Sequence, residues 1–162
     1  MKKQLVGMMT STSQEWETPQ DLFDRLDQEF DFTLDVCATK ENTKCKNYYS
    51  IDADGLKQKW TGRCWMNPPY KQNYEWLKKA YQEVKNGDCE LVVGLIPSRT
   101  DTVYFHEFIL KANEIRFIKG RLKFSGQKNS APFPSIIVVF KRRYDIFAPM
   151  IGSYKNKVEK KK

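Results

Sequence analysis

Asn67-Pro68-Pro69-Tyr70 follows the apolar pair Trp65-Met66 and gathers residue types that could do chemistry together. The Asn67 side-chain carbonyl and the Pro68 backbone carbonyl are two hydrogen-bond acceptors on adjacent residues. The prolines stiffen the backbone and bring no N–H group that could occupy those acceptors. Tyr70 adds an aromatic face. Two acceptors offered to the two N–H groups of an exocyclic amine would favour a tetrahedral nitrogen and free a lone pair otherwise delocalised into the ring. An aromatic face beside them could stack the flat ring that carries the amine, once that base is flipped out. The plainer reading is a tight turn between a strand and a helix, since Asn-Pro pairs mark turns.

Either reading needs a frame. "ETPQDLFDRLDQEF" predicts an amphipathic helix with Thr18 as N-cap, Pro19 at the first helical position and Leu22, Phe23, Leu26 and Phe30 on one stripe. "FTLDV" (Phe32 to Val36) predicts a short buried strand that ends near an acid, and "NYYSI" a further short strand. "RCWMN" is the strand that delivers Asn67. Lys71 to Asn86 predicts a second amphipathic helix, apolar at Leu77, Ala80, Tyr81 and Val84 and closed by Asn86-Gly87. The continuous apolar run "ELVVGLIP" has the pattern of a strand buried on both faces. "TDTVYFHEFILK" predicts a third helix, and "EIRFIKG" and "SIIVVFKRR" two more strands. Alternating strands and helices predict the α/β class, with a mainly parallel central sheet and flanking helices. Ligands of such sheets bind at the carboxyl ends of the strands, where Asp35, Asn67 and Pro97 fall.

The 162 residues suit one domain, expected over 14–145, with a flexible N-terminus at 1–13 and a basic tail at 146–162. Hydrophobic residues make up 40% of the chain and aromatics 14%, which excludes a disordered protein. The formal net charge of +8 favours a polyanionic partner. No apolar run reaches membrane-spanning length and the start is a poor signal peptide, so a cytoplasmic protein with no membrane role is expected. Cys37, Cys45, Cys64 and Cys89 form no C-x-x-C pair and His106 is the sole histidine; reduced thiols and no metal are expected. His106, in an apolar-aromatic stretch, reads as a surface or packing residue.

With the tetrapeptide set among these segments, the chain resembles the amino-methylating, S-adenosylmethionine-dependent DNA methyltransferases, and in particular the small phage-type (Dam-like) adenine methyltransferases. The resemblance runs from about Gln14 to Lys141, through "WETP", "LDVCA", "ADGL", the tetrapeptide, "IPSRTDT", "GRLKF" and "SIIVVF". It implies a Rossmann-like class I methyltransferase fold and methyl transfer to the N6 amine of adenine in double-stranded DNA, in a bacterial or phage-infected cell. It further implies Asn67, Pro68, Pro69 and Tyr70 as catalytic residues, with S-adenosylmethionine as cofactor. Trp16, in the segment that opens the first helix, would be a cofactor-binding residue, and Thr18 would bind the cofactor's carboxylate at that helix N-terminus. Asp35 and Ala38 would border its methionine part, Asp54 would accept from its adenine amine, and Leu56 would lie against the adenine ring. Tyr70 and Phe124 would wall the flipped base.

The chain departs from the family pattern in its glycine-free cofactor loop, "DVCATKEN". The region between the cofactor strand and the tetrapeptide strand is also expected to be trimmed, with Glu41 or Asp52 as candidates to meet the cofactor ribose. No separate recognition domain is expected in this length. Arg99, Arg121, Lys123 and Lys128, on two loops, are the candidates for DNA phosphates or base edges. Two alternatives stay open: a non-catalytic nucleic-acid-binding protein with a degenerate cofactor pocket, and amine methylation of another substrate (cytosine, an RNA base or a protein glutamine).

Overall fold

The structure, a computed structural model, describes residues 16–142. The expected flexible start and basic tail, and the ends of the expected domain, lie outside the described residues. The first helix, α1, is Gln20–Phe30; its apolar stripe buries Phe23, Leu26 and Phe30. It ends where Asp31 turns left-handed (φ 50°) and donates its N–H to the Asp27 carbonyl at 2.7 Å. The Asp27 carboxylate then accepts the Phe32 N–H at 2.8 Å, which directs the chain into the sheet.

Five strands follow: β1 Leu34–Asp35, β2 Gly62–Met66, β3 Cys89–Pro97, β4 Glu114–Phe117 and β5 Ser135–Lys141. Helix α2 (Asn73–Lys85) joins β2 to β3, and α3 (Val103–Glu107) lies between β3 and β4. The sheet order is β1-β2-β3-β5-β4. β1, β2 and β3 pair in parallel, whereas β5 runs antiparallel to both β3 and β4, so the sheet is mixed. The α/β class is as expected. β5 reverses because the loop over 118–134 returns the chain to the end of the sheet at which β3 stops, where Pro97 pairs with Ser135.

Alternation along the long strands builds two cores, one on each face. Val92 and Ile96 of β3 join Ile136, Val138 and Phe140 of β5, under Leu77, Ala80 and Val84 of α2. Leu91, Val93 and Leu95 point the other way, with Ile137 and Val139, against Phe23, Leu26 and Phe30 of α1. Each fully buried aliphatic side chain contributes roughly 1.5–3 kcal/mol of transfer free energy, which holds β3 and β5 as the rigid centre.

Several elements are shorter than their sequence pattern predicts. The strand expected over Phe32 to Val36 is assigned at two residues, although Thr33 and Val36 still donate to Arg63 and Trp65. The strand expected at "NYYSI" is one parallel bridge, Tyr48 beside Asp35. The helix expected over Thr100 to Lys111 is helical only at Val103–Glu107. Phe108 (φ −123°) breaks it, and a 3-10 turn, Ile109–Lys111, follows. Phe105, before this break, and Phe108, at it, are both buried.

Candidate active site

After β1 the chain runs outward to the bridge at Tyr48. After β2 it runs the opposite way, through α2 to β3. Diverging connections leave a crevice at the carboxyl ends of the two strands. A cavity of about 480 Å³ opens there. Trp16, Thr18, Asp35, Ala38, Asp54, Leu56, Asn67, Pro68 and Pro69 all line it, although they come from four separate segments.

Asn67 leaves β2 directly into this cavity. Its side-chain amide donates two hydrogen bonds, to the Trp16 carbonyl at 2.6 Å and to Thr18 Oγ1 at 3.0 Å. Both N–H groups are thereby spent on the segment before α1, which fixes the orientation of the amide. Asn67 Oδ1 is buried and, among the described residues, accepts nothing. A buried acceptor without a partner costs roughly 1–3 kcal/mol, so its persistence here points to a ligand donor. The Pro68 carbonyl likewise receives no donor from the described residues, while the Pro69 carbonyl accepts the Gln72 N–H at 2.9 Å and starts a 3-10 turn, Tyr70–Gln72.

Thr18 corrects one expectation. The helix cap is Pro19, with no side-chain cap bond, and Thr18 lies one residue before it. Its hydroxyl, in a residue only 2% exposed, is turned toward Asn67 instead of the helix N–H groups. A proline at the cap holds the extended entry (ψ 133°) that turns Thr18 inward.

Asp35 closes the floor. It is 3% exposed, and its carboxylate accepts the Cys37 N–H at 3.3 Å and the Lys44 N–H at 3.1 Å. Burial outweighs these bonds and pushes the carboxyl up to about 6 from 3.8. Cys37 lies between the acid and the tetrapeptide. Burial, then the Asp35 charge, raise its thiol well above the ordinary value, opposed by a backbone hydrogen bond from Asn67. Lys44, its side chain 9% exposed, donates from Nζ to Glu17 Oε1 at 3.2 Å and to Gln20 Oε1 at 3.0 Å. This lysine ties the Asp35 loop to the start of α1.

The far wall is the turn around Asp54. Asp54 is left-handed (φ 52°), and its carboxylate accepts the Leu56 N–H at 3.3 Å and pairs with Lys57 Nζ at 2.9 Å. The hydrogen bond to Lys57 holds its pKa below the usual carboxylate value. The turn role of Asp54 is therefore present, and its side chain still borders the cavity. Gly55 allows the turn to close. A Cβ there would overlap the Val36 carbonyl oxygen and press on the Trp76 ring at 3.0 Å. Trp76 stacks on Trp60 (centroids 6.0 Å apart), and its indole N–H is buried with no acceptor among the described residues. Glu41 and Asp52 are exposed and outside the cavity lining.

Tyr70 faces away from this floor into an aromatic cluster. Its ring meets Phe133 edge-on (5.4 Å) and Phe124 (6.5 Å); Trp16 meets both phenylalanines at 5.2 Å. Its hydroxyl is buried without a partner among the described residues, and burial, then the nearby Cys37, push the phenol's pKa up from its ordinary value. Phe124 is 1% exposed and sits within the core cluster on the α1 face. Arg99, Arg121, Lys123 and Lys128 are exposed and do not line the cavity, but their loops leave the same end of the sheet as Asn67. The 118–134 loop is tied to the Asn67 clamp: Ser125 donates from its N–H to the Glu17 carbonyl at 2.9 Å and from Oγ to the Thr18 carbonyl at 3.3 Å. His106 is exposed, its ring bonded to the Thr100 carbonyl at 2.8 Å.

Sequence reasoning missed Lys44, Gly55 and Trp76. Only Trp76 left a signal, since it stands four residues before Ala80 and shares its helix face. Among the described residues no helix is long and apolar enough to cross a membrane.

An α/β sheet with a ligand-sized cavity at its switch point, lined by an asparagine whose buried amide oxygen has no partner among the described residues, has the layout of a ligand-binding protein. Residues 7–162 match the family described as DNA N-6-adenine-methyltransferase (Dam), and the chain belongs to that family. It is 36% identical over 107 residues to a DNA N-6-adenine-methyltransferase of Haemophilus phage HP1, over 64% of this chain and 61% of that one. A protein of the same description from Escherichia phage T1 is 30% identical over 110 residues, over 66% of this chain and 45% of its own length. The chain spans about half the length of these curated relatives.

Proposed function

We propose that the chain transfers a methyl group from S-adenosylmethionine to the N6 amine of adenine in DNA. The observation that carries this reading is Asn67 Oδ1, buried, unpartnered and held at the cavity wall by two bonds on its own amide nitrogen. Family membership and the names of the phage relatives support the substrate. On this reading the fold is a Rossmann-like class I methyltransferase, trimmed over 36–61, where neither a helix nor a named strand occurs.

The cavity fits the cofactor. Its volume lies within the usual range for small-molecule sites. Asp35 offers a buried carboxylate to the positive amino or sulfonium group, and Ala38 borders the methionine part. Thr18, at the start of α1, offers a hydroxyl proton to the carboxylate. Asp54 would accept from the adenine amine and Leu56 would cover the ring, since both line the cavity. When bound, the cofactor supplies an electrophilic methyl group on a positively charged sulfur.

Asn67 Oδ1 and the Pro68 carbonyl each accept one N–H of the target amine and steer its lone pair toward that methyl group. Methyl transfer to the amine so held would leave its nitrogen with a surplus proton, which would pass to water. Tyr70 stacks the flipped base, and Phe124, expected to wall it but buried in the core, backs the Tyr70 ring instead. Arg99, Arg121 and Lys123 hold phosphates or base edges at the rim. The test is incubation with methyl-labelled cofactor and unmethylated duplex DNA, followed by nucleoside analysis. Label in N6-methyladenine is the expected result; label on cytosine, or none in DNA, overturns the proposal.

A further inference from the structure

We infer that Thr18 is a positioning residue for Asn67, so that the segment receiving the cofactor also sets the orientation of the amide that receives the base. The inference rests on the activity proposed above. A primary amide has one acceptor end and one donor end of nearly equal size, and only the acceptor end can bind an amine N–H. Rotation of the Asn67 amide by half a turn would aim its NH2 group at the target and repel it. Two acceptors prevent this: the Trp16 carbonyl at 2.6 Å and Thr18 Oγ1 at 3.0 Å, each about fifty positions away in sequence. With Oδ1 turned toward them instead, the Trp16 carbonyl would face another carbonyl oxygen. Thr18 is 2% exposed and does no capping, so its buried hydroxyl has no structural duty among the described residues other than this bond.

The hydroxyl is also a relay. Oγ1 accepts from Asn67 and donates to no atom among the described residues, which leaves its single proton for a ligand in the cavity. A carboxylate that takes this proton makes Oγ1 a better acceptor and tightens its grip on Asn67. The Thr18 carbonyl is in turn held by Ser125 Oγ, on the loop that carries Arg121 and Lys123. Cofactor segment, base-contacting amide and rim loop thus meet at one residue. A residue that only touched the cofactor would alter cofactor affinity alone.

The test is Thr18→Val, which keeps the shape and removes the hydroxyl, beside Thr18→Ser, which restores it. At saturating cofactor, kcat of Thr18→Val should fall on the order of tenfold to 100-fold, as for a slightly misplaced catalytic group, and Thr18→Ser should recover most of it. A kcat for folded Thr18→Val within twofold of wild type overturns the inference. The wild-type protein supplies a measurement that needs neither activity nor a stable variant. The Asn67 side-chain NH2 signals, assigned by their loss in Asn67→Ala, should exchange slowly with solvent. Exchange as fast as in an exposed asparagine overturns the clamp. If wild-type protein methylates no adenine, the proposed function fails, and the exchange measurement still decides the clamp.

Discussion

Asn67 Nδ2 lies 2.6 Å from the carbonyl oxygen of Trp16, a bond between the residue that leaves β2 and the residue three positions ahead of Pro19 at the cap of α1. That bond commits the donor end of the amide to the protein and leaves its acceptor end without a partner among the described residues. The proposed amine chemistry depends on that division.

Asp35 should make the protein less stable as pH rises. Its folded carboxyl titrates at about 6 against an ordinary 3.8, chiefly through burial. The folded state therefore keeps a proton that the unfolded chain has already lost between those values, and stability falls across that window by about 3 kcal/mol in full. Asp35→Asn removes this loss. Its stability relative to wild type should improve by up to about 3 kcal/mol between about pH 4 and about pH 8, while cofactor affinity drops. Urea unfolding of both proteins at the two pH values checks it; parallel behaviour contradicts it.

Gly55→Ala should strain the cavity wall. Its new methyl would meet the Val36 carbonyl and the Trp76 ring, neither of which is a flexible side-chain end. A loss of roughly 1–3 kcal/mol is expected, as for other overpacked sites, together with weaker cofactor binding. Thermal unfolding and calorimetry read the two effects separately.

Tyr70→Phe should fold at least as stably as wild type, because it deletes a buried hydroxyl that has no partner. If the ring face is what the target base needs, turnover should stay near normal. Tyr70→Ala should lose stacking on the order of 1–3 kcal/mol. A Phe variant as inactive as the Ala variant would give the hydroxyl a role of its own.

DNA binding should weaken steeply with salt, since the exposed Arg99, Arg121 and Lys123 surround the cavity end of the sheet. Arg121→Ala should lower the slope of log affinity against log salt by about one. An unchanged slope would remove Arg121 from the phosphate contacts.

The frame and the tetrapeptide were legible because their signals are local. Apolar runs mark β3 and β5, period-3.6 stripes mark α1 and α2, and a rigid Asn-Pro-Pro turn is visible in four residues. The partner of Thr18 was not legible. A threonine before a proline and a helix reads as a cap, and nothing local says that its hydroxyl meets a residue 49 positions on. Lys44 and Gly55 were missed for the same reason, since each acts through contacts made only when the 36–61 segment folds back on β1. The third helix is shorter than its pattern because the backbone leaves the helical region at Phe108, a break that no residue of the apolar-aromatic run signals.

Single-turnover methylation of duplex DNA by Asn67→Ala, at saturating cofactor and with folding checked by circular dichroism, tests the central claim most directly. The variant should fold and bind cofactor, and its rate should fall by roughly 100-fold or more, the usual scale for loss of a transition-state hydrogen bond. A near-normal rate from folded protein would mean that Asn67-Pro68-Pro69-Tyr70 is only a turn.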